Sequence, residues 1–216
     1  MRIIVSDVTY MATQVCVAGW CPDEVRMVRP LSGPRKHWPT ALAGGQLFSM
    51  GNVVELTLAN IQSPRGLPHR REDLIVRGRP RVVDTVPNDK IADALCESES
   101  SSVSDIFEGH LQEGRFVMSG ADCPSLGAVR VDRETVRFSE SEYEGRKKLR
   151  CGFQDMSGVQ YSLPASSVTL RDTWTNQGIS ALNSMIREPG YAHIRIGLAH
   201  PMDGRAFAMV NNLALY

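Results

Sequence analysis

The sequence predicts a mainly β protein in which two small antiparallel barrels are joined by a short helical segment, with a further helix before the C-terminal hairpin. Apolar and polar residues alternate with a period of two through most of the chain, as expected for half-buried strands. A middle segment with helical spacing separates two β-rich stretches, and neither stretch shows the β-α-β alternation of a parallel sheet. The 216 residues are enough for two small domains.

The first β-rich stretch contains the strands assigned to the first barrel. In the strand predicted at Asn52–Ile61, Val54, Leu56 and Leu58 share one face. We assign residues 1–87 to this barrel. The other strands predicted in it are Arg2–Val5, Gln14–Trp20, Glu24–Arg29 and Arg81–Val86.

Helical spacing marks the connector and one later segment. Ile91 and Leu95 lie four residues apart within Asn88–Glu97, and Asn88 is a suitable N-cap. Between this helix and the next, Glu97–Ser104 is rich in Ser and Glu and is predicted to be a mobile surface loop or linker. We assign residues 88–115 to the connector. The other predicted helices are Ser104–Gln112 and Gly178–Arg187.

The second barrel is assigned to residues 116–216 and ends in the clearest predicted hairpin. Ile194 and Ile196 face one side of its first strand, while His193 and Arg195 face the other. Each β-rich stretch has about the size of a five-stranded OB barrel, which often carries a helix between its third and fourth strands.

Composition excludes several classes of protein. The 24 Lys and Arg residues balance 24 Asp and Glu residues, so any nucleic-acid contact must use a local patch rather than bulk charge. No stretch approaches the roughly 18 apolar residues of a membrane span, and the N-terminus lacks the apolar core of a signal peptide. The five cysteines include no CxxC pair. We therefore predict a cytoplasmic protein with reduced thiols, without membrane contact, metal site or cofactor.

One candidate binding surface is an arginine-rich segment that contains several glycines and prolines. Arginine forks match phosphate oxygens, and Arg77, Arg79 and Arg81 would share one face of an extended chain. The alternative is a solvated surface in which Glu72 and Asp73 pair with some of the arginines. The candidate residues of this segment are Arg65, His69, Arg70, Arg71, Arg77, Arg79 and Arg81.

A second basic group lies close in sequence to two tryptophans. Basic residues interleaved with aromatic residues are typical of single-strand binders, although large aromatic residues are mostly buried, which favours Trp20 and Trp38 as core or rim residues. A third group, at 146–150, is interpreted as a solvated hairpin tip. The candidates of the second group are Trp20, Arg26, Arg29, Arg35 and Lys36, with His37 beside them.

His69 lies close to Glu72 and Asp73, and a histidine with a carboxylate can perform acid–base chemistry. The interpretation that we favour is structural: one of the carboxylates accepts a hydrogen bond from the imidazole and holds the loop against the first barrel. No GxSxG, HExxH, P-loop or GxGxxG motif is present in the sequence. No catalytic residue is assigned.

Four short segments resemble motifs of the dual OB-containing domain family. Cys16–Gly19 (CVAG) resembles its early C-[IV]-A-G, and Val25–Ser32 (VRMVRPLS) resembles its W-I-R-P-[IV]-S. Pro68–Asp73 (PHRRED) resembles its P-H-x-x-E-D, and Ala192–Leu198 (AHIRIGL) resembles its closing L-R-[VL]-[GS]-L. The resemblance implies a bacterial protein with two OB-type barrels and implies no reaction. Thr9–Gln14 (TYMATQ) lacks the basic residue of the family's opening turn, which puts a phosphate contact there in doubt.

Together these features predict a non-catalytic binding module that contacts DNA or RNA through local Arg-rich and aromatic surfaces. The alternative is an adaptor whose barrels bind protein partners. A third hypothesis is a nucleic-acid-processing enzyme that uses the His69 region. Fold alone does not decide between them, and no feature of the sequence indicates an oligomeric state.

Overall fold

The computed structural model describes residues 1–11, 13–43 and 47–215. No helix in these ranges is long and apolar enough to cross a membrane. The helices are α1 (Ile91–Leu95), α2 (Val103–Ile106), α3 (Val168–Gln177) and α4 (Ile179–Met185). The strands are β1 (Arg2–Met11), β2 (Gln14–Cys21), β3 (Arg26–Leu31), β4 (Trp38–Pro39), β5 (Asn52–Glu55), β6 (Asp73–Ile75), β7 (Arg81–Thr85), β8 (Glu99–Ser100), β9 (Phe116–Met118), β10 (Leu126–Asp132), β11 (Arg137–Tyr143), β12 (Arg146–Gln154), β13 (Gln160–Pro164), β14 (Tyr191–Leu198) and β15 (Arg205–Leu215).

Strands β1 to β7 form the first barrel. β1, β2 and β3 make an antiparallel meander, β1 also pairs with β5, and β3 runs parallel to β6. An isolated bridge between Leu58 and Val76 joins the chain after β5 to the chain after β6. In an OB barrel the first main strand pairs with the fourth, and the third runs parallel to the fifth. Here β1 pairs with β5 and β3 runs parallel to β6, so the predicted fold class is confirmed.

The second barrel repeats this arrangement. β10 continues through a turn into β11, which forms a meander with β12 and β13, while β14 pairs with β10 and β15. Ala165, which follows β13, pairs in parallel with Val210 of β15. α3 and α4 lie between the third and fourth strands of this barrel, the position that an OB barrel favours for its helix.

Two helix predictions need correction. Helix α3 was missed because only Val168 and Leu170 of its residues are buried, which leaves little apolar periodicity in the sequence. The helix predicted at Ser104–Gln112 begins near the expected residue but ends at Ile106. The chain turns sharply there because Glu108 adopts a positive φ of 50°.

The prediction of a mobile loop at Glu97–Ser104 was wrong. Residues Glu99 and Ser100 form β8, which pairs in parallel with β10. Ser98 Oγ lies 2.7 Å from a guanidinium nitrogen of Arg195, and a Glu99 carboxylate oxygen lies 2.8 Å from His193 Nδ1. The polar residues that suggested disorder are hydrogen-bond partners of His193 and Arg195, which are buried in β14.

The two barrels share an apolar interface. Trp20 and Met27 of the first barrel pack in one cluster with Leu126 and Ala214 of the second, and Leu95 of α1 joins them. Strands β1 and β3 therefore have both faces covered. The sheets themselves stay within residues 2–85 and 99–215, and the exact domain boundaries remain a prediction.

A buried ionic network lies at the same interface. Arg195, fully buried on β14, places its guanidinium 3.5 Å from the buried carboxylate of Asp7 on β1. A second guanidinium nitrogen lies 3.4 Å from His193 Nε2. His193 and Arg195 do face away from Ile194, as the alternation predicted, but that face is buried by the other barrel.

Replacing Gly19 with alanine is expected to lower the free energy of unfolding by about 1–3 kcal/mol, as overpacking does. A Cβ on Gly19 would lie 2.7 Å from the carbonyl oxygen of Ile4 and 2.9 Å from Cδ1 of Ile3. Urea unfolding measures the effect. Gly66→Ala is the matched control, because no described heavy atom lies within 4 Å of the added Cβ. Equal stability of the two variants would contradict this packing argument.

Candidate functional site

A cleft between the barrels contains the densest group of arginine and histidine side chains. It consists of an outer cleft of about 300 Å³ and an inner cavity of about 100 Å³, and both are lined by Arg65, His69 and His200. Arg35 and Leu67 line the outer cleft. The inner cavity is further lined by Asp7, Cys16, Arg29 and His37.

Both barrels supply residues to this cleft. Arg29 lies on β3, Arg65 lies on the loop that leads to β6, and His69 begins a 3₁₀ turn just after the cis Leu67–Pro68 peptide. His200 comes from the second barrel, in the segment that follows β14.

Arg29 lies at the base of the cleft and is hydrogen-bonded to residues of both barrels. Its guanidinium donates hydrogen bonds to Asp73 at 2.8 Å, to the His69 carbonyl at 3.3 Å and to Ser125 Oγ at 2.8 Å. Ser125 belongs to the second barrel, and it also donates from its backbone and hydroxyl to Glu72. Arg29 and Glu72, both buried in the first barrel, are therefore each hydrogen-bonded to Ser125 of the second barrel.

One carboxylate is shared between two guanidinium groups. Asp73 lies 2.8 Å from Arg29 and 3.4 Å from Nε of Arg65, and all three side chains are almost fully buried. Asp73 also accepts a hydrogen bond from Ser63. Asp73 and the neighbouring Glu72 together balance the formal charges of Arg29 and Arg65, but Nε of Arg65 has no hydrogen-bond partner among the described residues, so the cluster retains an unused guanidinium donor.

The hydrogen bonds define the tautomers of two buried histidines. A guanidinium can only donate, so the 2.8 Å contact from Arg65 makes Nε2 of His37 the acceptor and places the ring proton on Nδ1. That Nδ1 is buried and has no hydrogen-bond partner among the described residues. His69 Nε2 donates to the Leu198 carbonyl at 3.1 Å, because a carbonyl can only accept.

The three histidines form a ring cluster that is uncharged at neutral pH. The His200 ring stacks on that of His69, with centroids 5.7 Å apart, and lies edge-on to that of His37 at 6.4 Å. Burial and the cations Arg65 and Arg29 lower the pKa of His37 to about 4. Burial and Arg29 lower the pKa of His69 to about 3, and burial also lowers the pKa of His200.

Metal binding by this cluster has no support in the geometry. No group of three or more His, Cys, Asp and Glu side chains within residues 1–11, 13–43 and 47–215 is arranged to hold a metal ion. The five cysteines are all free thiols. The donors that the cleft offers are guanidinium and imidazole N–H groups, which suit an oxyanion.

Only some of the predicted site residues lie together in the cleft. Arg29, Arg35, Arg65 and His69 line it, and they bring residues from both basic segments to one place. His37, which lies beside the second basic group in the sequence, also lines the inner cavity. Lys36 and Arg70 are exposed next to cleft residues in the sequence.

The remaining predicted residues lie elsewhere. Trp20 is 4% exposed in the interface between the barrels, which leaves no open ring face for stacking on a base. Arg26 forms an ion pair with Glu24, and Arg71 forms one with Glu108.

The predicted arginine strip does not lie on one straight strand. Arg77, Arg79 and Arg81 are exposed, but Gly78 between them has a positive φ of 73°, so the chain bends within the strip. Arg81 is also paired with Glu55 at 2.7 Å. The alternation expected of an extended chain is therefore absent, and a role of these residues in binding stays a prediction.

The predicted pair between His69 and a neighbouring carboxylate is wrong. Glu72 accepts hydrogen bonds from Ser125, and Asp73 accepts them from Arg29 and Ser63, whereas His69 binds the carbonyl of Leu198. His69 is structural in the sense expected, because it is buried and anchors its turn. The anchor is the second barrel rather than the first.

His200 was missed as a site residue, and so was the contribution of the second barrel. The sequence shows His200 only as a single polar residue after a strand, 131 positions after His69. Its place in the cleft depends on how the barrels dock, and no local pattern encodes that.

The two packed OB barrels, with a cleft lined by basic residues between them, place the chain among proteins built from two OB domains. The chain belongs to the dual OB-containing domain family, whose model matches residues 1–213. Among solved structures, it is similar to a murine DNA-binding protein bound with double-stranded DNA, at 10% identity and a TM-score of 0.37, with 99% of this chain and 97% of that chain covered. It is also similar to the p204 HINb domain, at 15% identity and a TM-score of 0.37, with 97% and 95% covered. No curated protein matches the chain.

Proposed function

We propose that the protein is a non-catalytic nucleic-acid-binding module that receives the phosphate backbone of a strand at the outer cleft. The observation that carries this proposal is the pair of buried guanidiniums, Arg29 and Arg65, which share one carboxylate beside an open cleft. Pre-organised arginine forks are the side chains best suited to phosphate oxygens.

Exposed cations extend this basic site along the surface. Arg35 lines the outer cleft, Lys36 follows it, and Arg70 follows His69 on the opposite loop. No carboxylate is paired with these three side chains among the described ion pairs. A chain of zero net charge can bind a polyanion through such a local patch.

The double substitution Arg35→Gln and Lys36→Gln is expected to weaken the binding of a fluorescently labelled single strand and to flatten its salt dependence. Each lost phosphate contact should remove roughly one unit from the slope of log affinity against log salt. Fluorescence polarisation with DNA and RNA strands over a range of salt concentrations measures both quantities. Arg35 has a positive φ of 57°. Glutamine is chosen because, like arginine, it is unbranched at Cβ, so the substitution adds no backbone strain at this position.

The matched control is Arg146→Gln with Lys148→Gln, which removes one Arg and one Lys charge from the exposed start of β12. We expect the control to bind as the unmodified protein does. If the unmodified protein binds no strand, or if both double variants lose the same affinity and slope, the proposal is wrong. The adaptor hypothesis would then take precedence.

A further inference from the structure

We propose that the joint between the two barrels is sensitive to protons, and that acid separates the barrels while each keeps its own fold. The sensitive element is a stacked pair of imidazole rings, His69 from the first barrel and His200 from the second. Their ring centroids lie 5.7 Å apart, and their planes are 11° from parallel. This inference concerns the protein alone, so its outcome does not depend on the nucleic acid of the proposed function.

Four of the five histidines in the sequence lie where the barrels meet. His69 donates from Nε2 to the Leu198 carbonyl of the second barrel at 3.1 Å. His193 is fully buried on the face of β14 that the first barrel covers, and the fifth histidine, His110, is exposed. The four histidines at the joint are His37, His69, His193 and His200.

All four rings at the joint favour the uncharged form. Burial, followed by nearby cations, lowers the pKa of His69 to about 3 and that of His37 to about 4. Burial also lowers the pKa of His193 and of His200. Packing of the barrels is therefore linked to the release of protons, and uptake of protons opposes it.

The groups around the stacked pair offer no free carboxylate to a protonated ring. Asp73 and Glu72 already accept hydrogen bonds on both of their oxygens, and Asp7 is paired with Arg195. The cations around the pair are Arg29, Arg35 and Arg65, and the uncharged titratable groups are Tyr10, Cys16 and His37.

The atom of His69 that takes up the proton is Nδ1, because Nε2 already carries a proton for its bond to the Leu198 carbonyl. A proton on Nδ1 places a full charge on the ring that is stacked against His200. Nη1 of Arg29 also lies 3.3 Å from the carbonyl oxygen of His69. The bond to Leu198 favours the charged ring, but burial and Arg29 outweigh it. The charge is accommodated when the barrels part and water reaches the ring.

Each barrel has an apolar core of its own that contains no histidine. Val17 and Phe48 lie in the core of the first barrel, and Leu163 lies in that of the second. A smaller cluster, which includes Trp20 and Leu126, joins the two barrels. Protonation of the histidines therefore introduces charge at the joint and not into either core, so that the joint is expected to open before the barrels unfold.

The test follows the unmodified protein from pH 7 to pH 4 by small-angle X-ray scattering and by far-UV circular dichroism. His69 alone should raise the ratio of open to closed form roughly 25-fold between pH 7 and pH 5, if its pKa in the open form is the ordinary one. We expect the radius of gyration to increase while the far-UV spectrum stays constant. A constant radius of gyration down to pH 4, or a radius and a spectrum that change together, would overturn the inference.

A double variant, His69→Gln with His200→Phe, assigns the effect to the stacked pair. Glutamine retains a donor for the Leu198 carbonyl and phenylalanine retains a flat ring, but neither side chain takes up a proton. At pH 5 its ratio of open to closed form should be lower than that of the unmodified protein by at least about tenfold.

His110→Gln is the matched control and should open at the same pH as the unmodified protein, because His110 is exposed. If the double variant opens at the same pH as this control, the stacked pair is not the sensitive element and the inference is wrong. If the double variant fails to fold, the comparison of scattering with circular dichroism in the unmodified protein still decides whether the barrels separate.

Discussion

Replacing Arg195 with methionine is expected to lower the free energy of unfolding by about 3–5 kcal/mol. The substitution removes the guanidinium that faces the Asp7 carboxylate at 3.5 Å, and Asp7 is only 2% exposed. A charge that stays buried without its partner carries its full desolvation cost, whereas the methylene groups of arginine are largely replaced by those of methionine. Chemical denaturation in urea gives the difference in free energy.

A double-mutant cycle separates charge from packing. Asp7→Asn combined with Arg195→Met leaves no buried charge at this position, so the double variant should be more stable than Arg195→Met alone. Arg187→Met, at an exposed position, is the control and should change the stability by less than about 0.5 kcal/mol. A double variant that is no more stable than Arg195→Met would show that lost packing, and not the uncompensated carboxylate, causes the loss.

The free energy of unfolding is expected to fall steeply as the pH falls from about 6.5 towards 4. Burial and neighbouring cations lower the pKa of His37 to about 4 and that of His69 to about 3 in the folded protein, from an ordinary value of 6.5. In this window the unfolded chain therefore binds protons that the folded protein does not bind. Each such proton changes the stability by about 1.4 kcal/mol per pH unit, and the effect is absent above about pH 7, where both states are unprotonated.

Urea unfolding at a series of pH values, for the unmodified protein and His69→Gln, measures this contribution. The variant should have a slope that is smaller by about 1.4 kcal/mol per pH unit, the value for one proton. Glu72, whose pKa burial raises, acts in the opposite direction, but it contributes equally to both proteins and cancels in the difference. His110→Gln should keep the full slope, and an unchanged slope in His69→Gln would mean that His69 is protonated in the folded state.

The strands could be predicted from sequence because their apolar residues repeat every second position. Ile194 and Ile196 showed that pattern, and the predicted hairpin of β14 and β15 is present. The pattern could not show that the opposite face, with His193 and Arg195, is buried as well. That burial is supplied by Asp7 and its neighbours, almost the whole length of the chain away.

The candidate site was predictable in part for a similar reason. Arg29, Arg65 and His69 stood out because local clusters of basic residues are visible in a single sequence. His200 gave no such signal, since its ring reaches the cleft only when the second barrel docks against the first. The same docking buries Trp20, which the sequence alone left open between a core residue and a stacking platform.

The ion pair between Asp7 and Arg195 also has a consequence for synthesis on the ribosome. The two residues are 188 positions apart, which corresponds to roughly 10–40 s of translation at about 5–20 residues per second. During that interval the nascent first barrel holds a carboxylate for which no counter-charge has yet been made, and its apolar surface at Trp20 and Met27 remains uncovered. We therefore expect the surface of the first barrel around Trp20 and Met27 to become fully ordered only after β14 has left the ribosome.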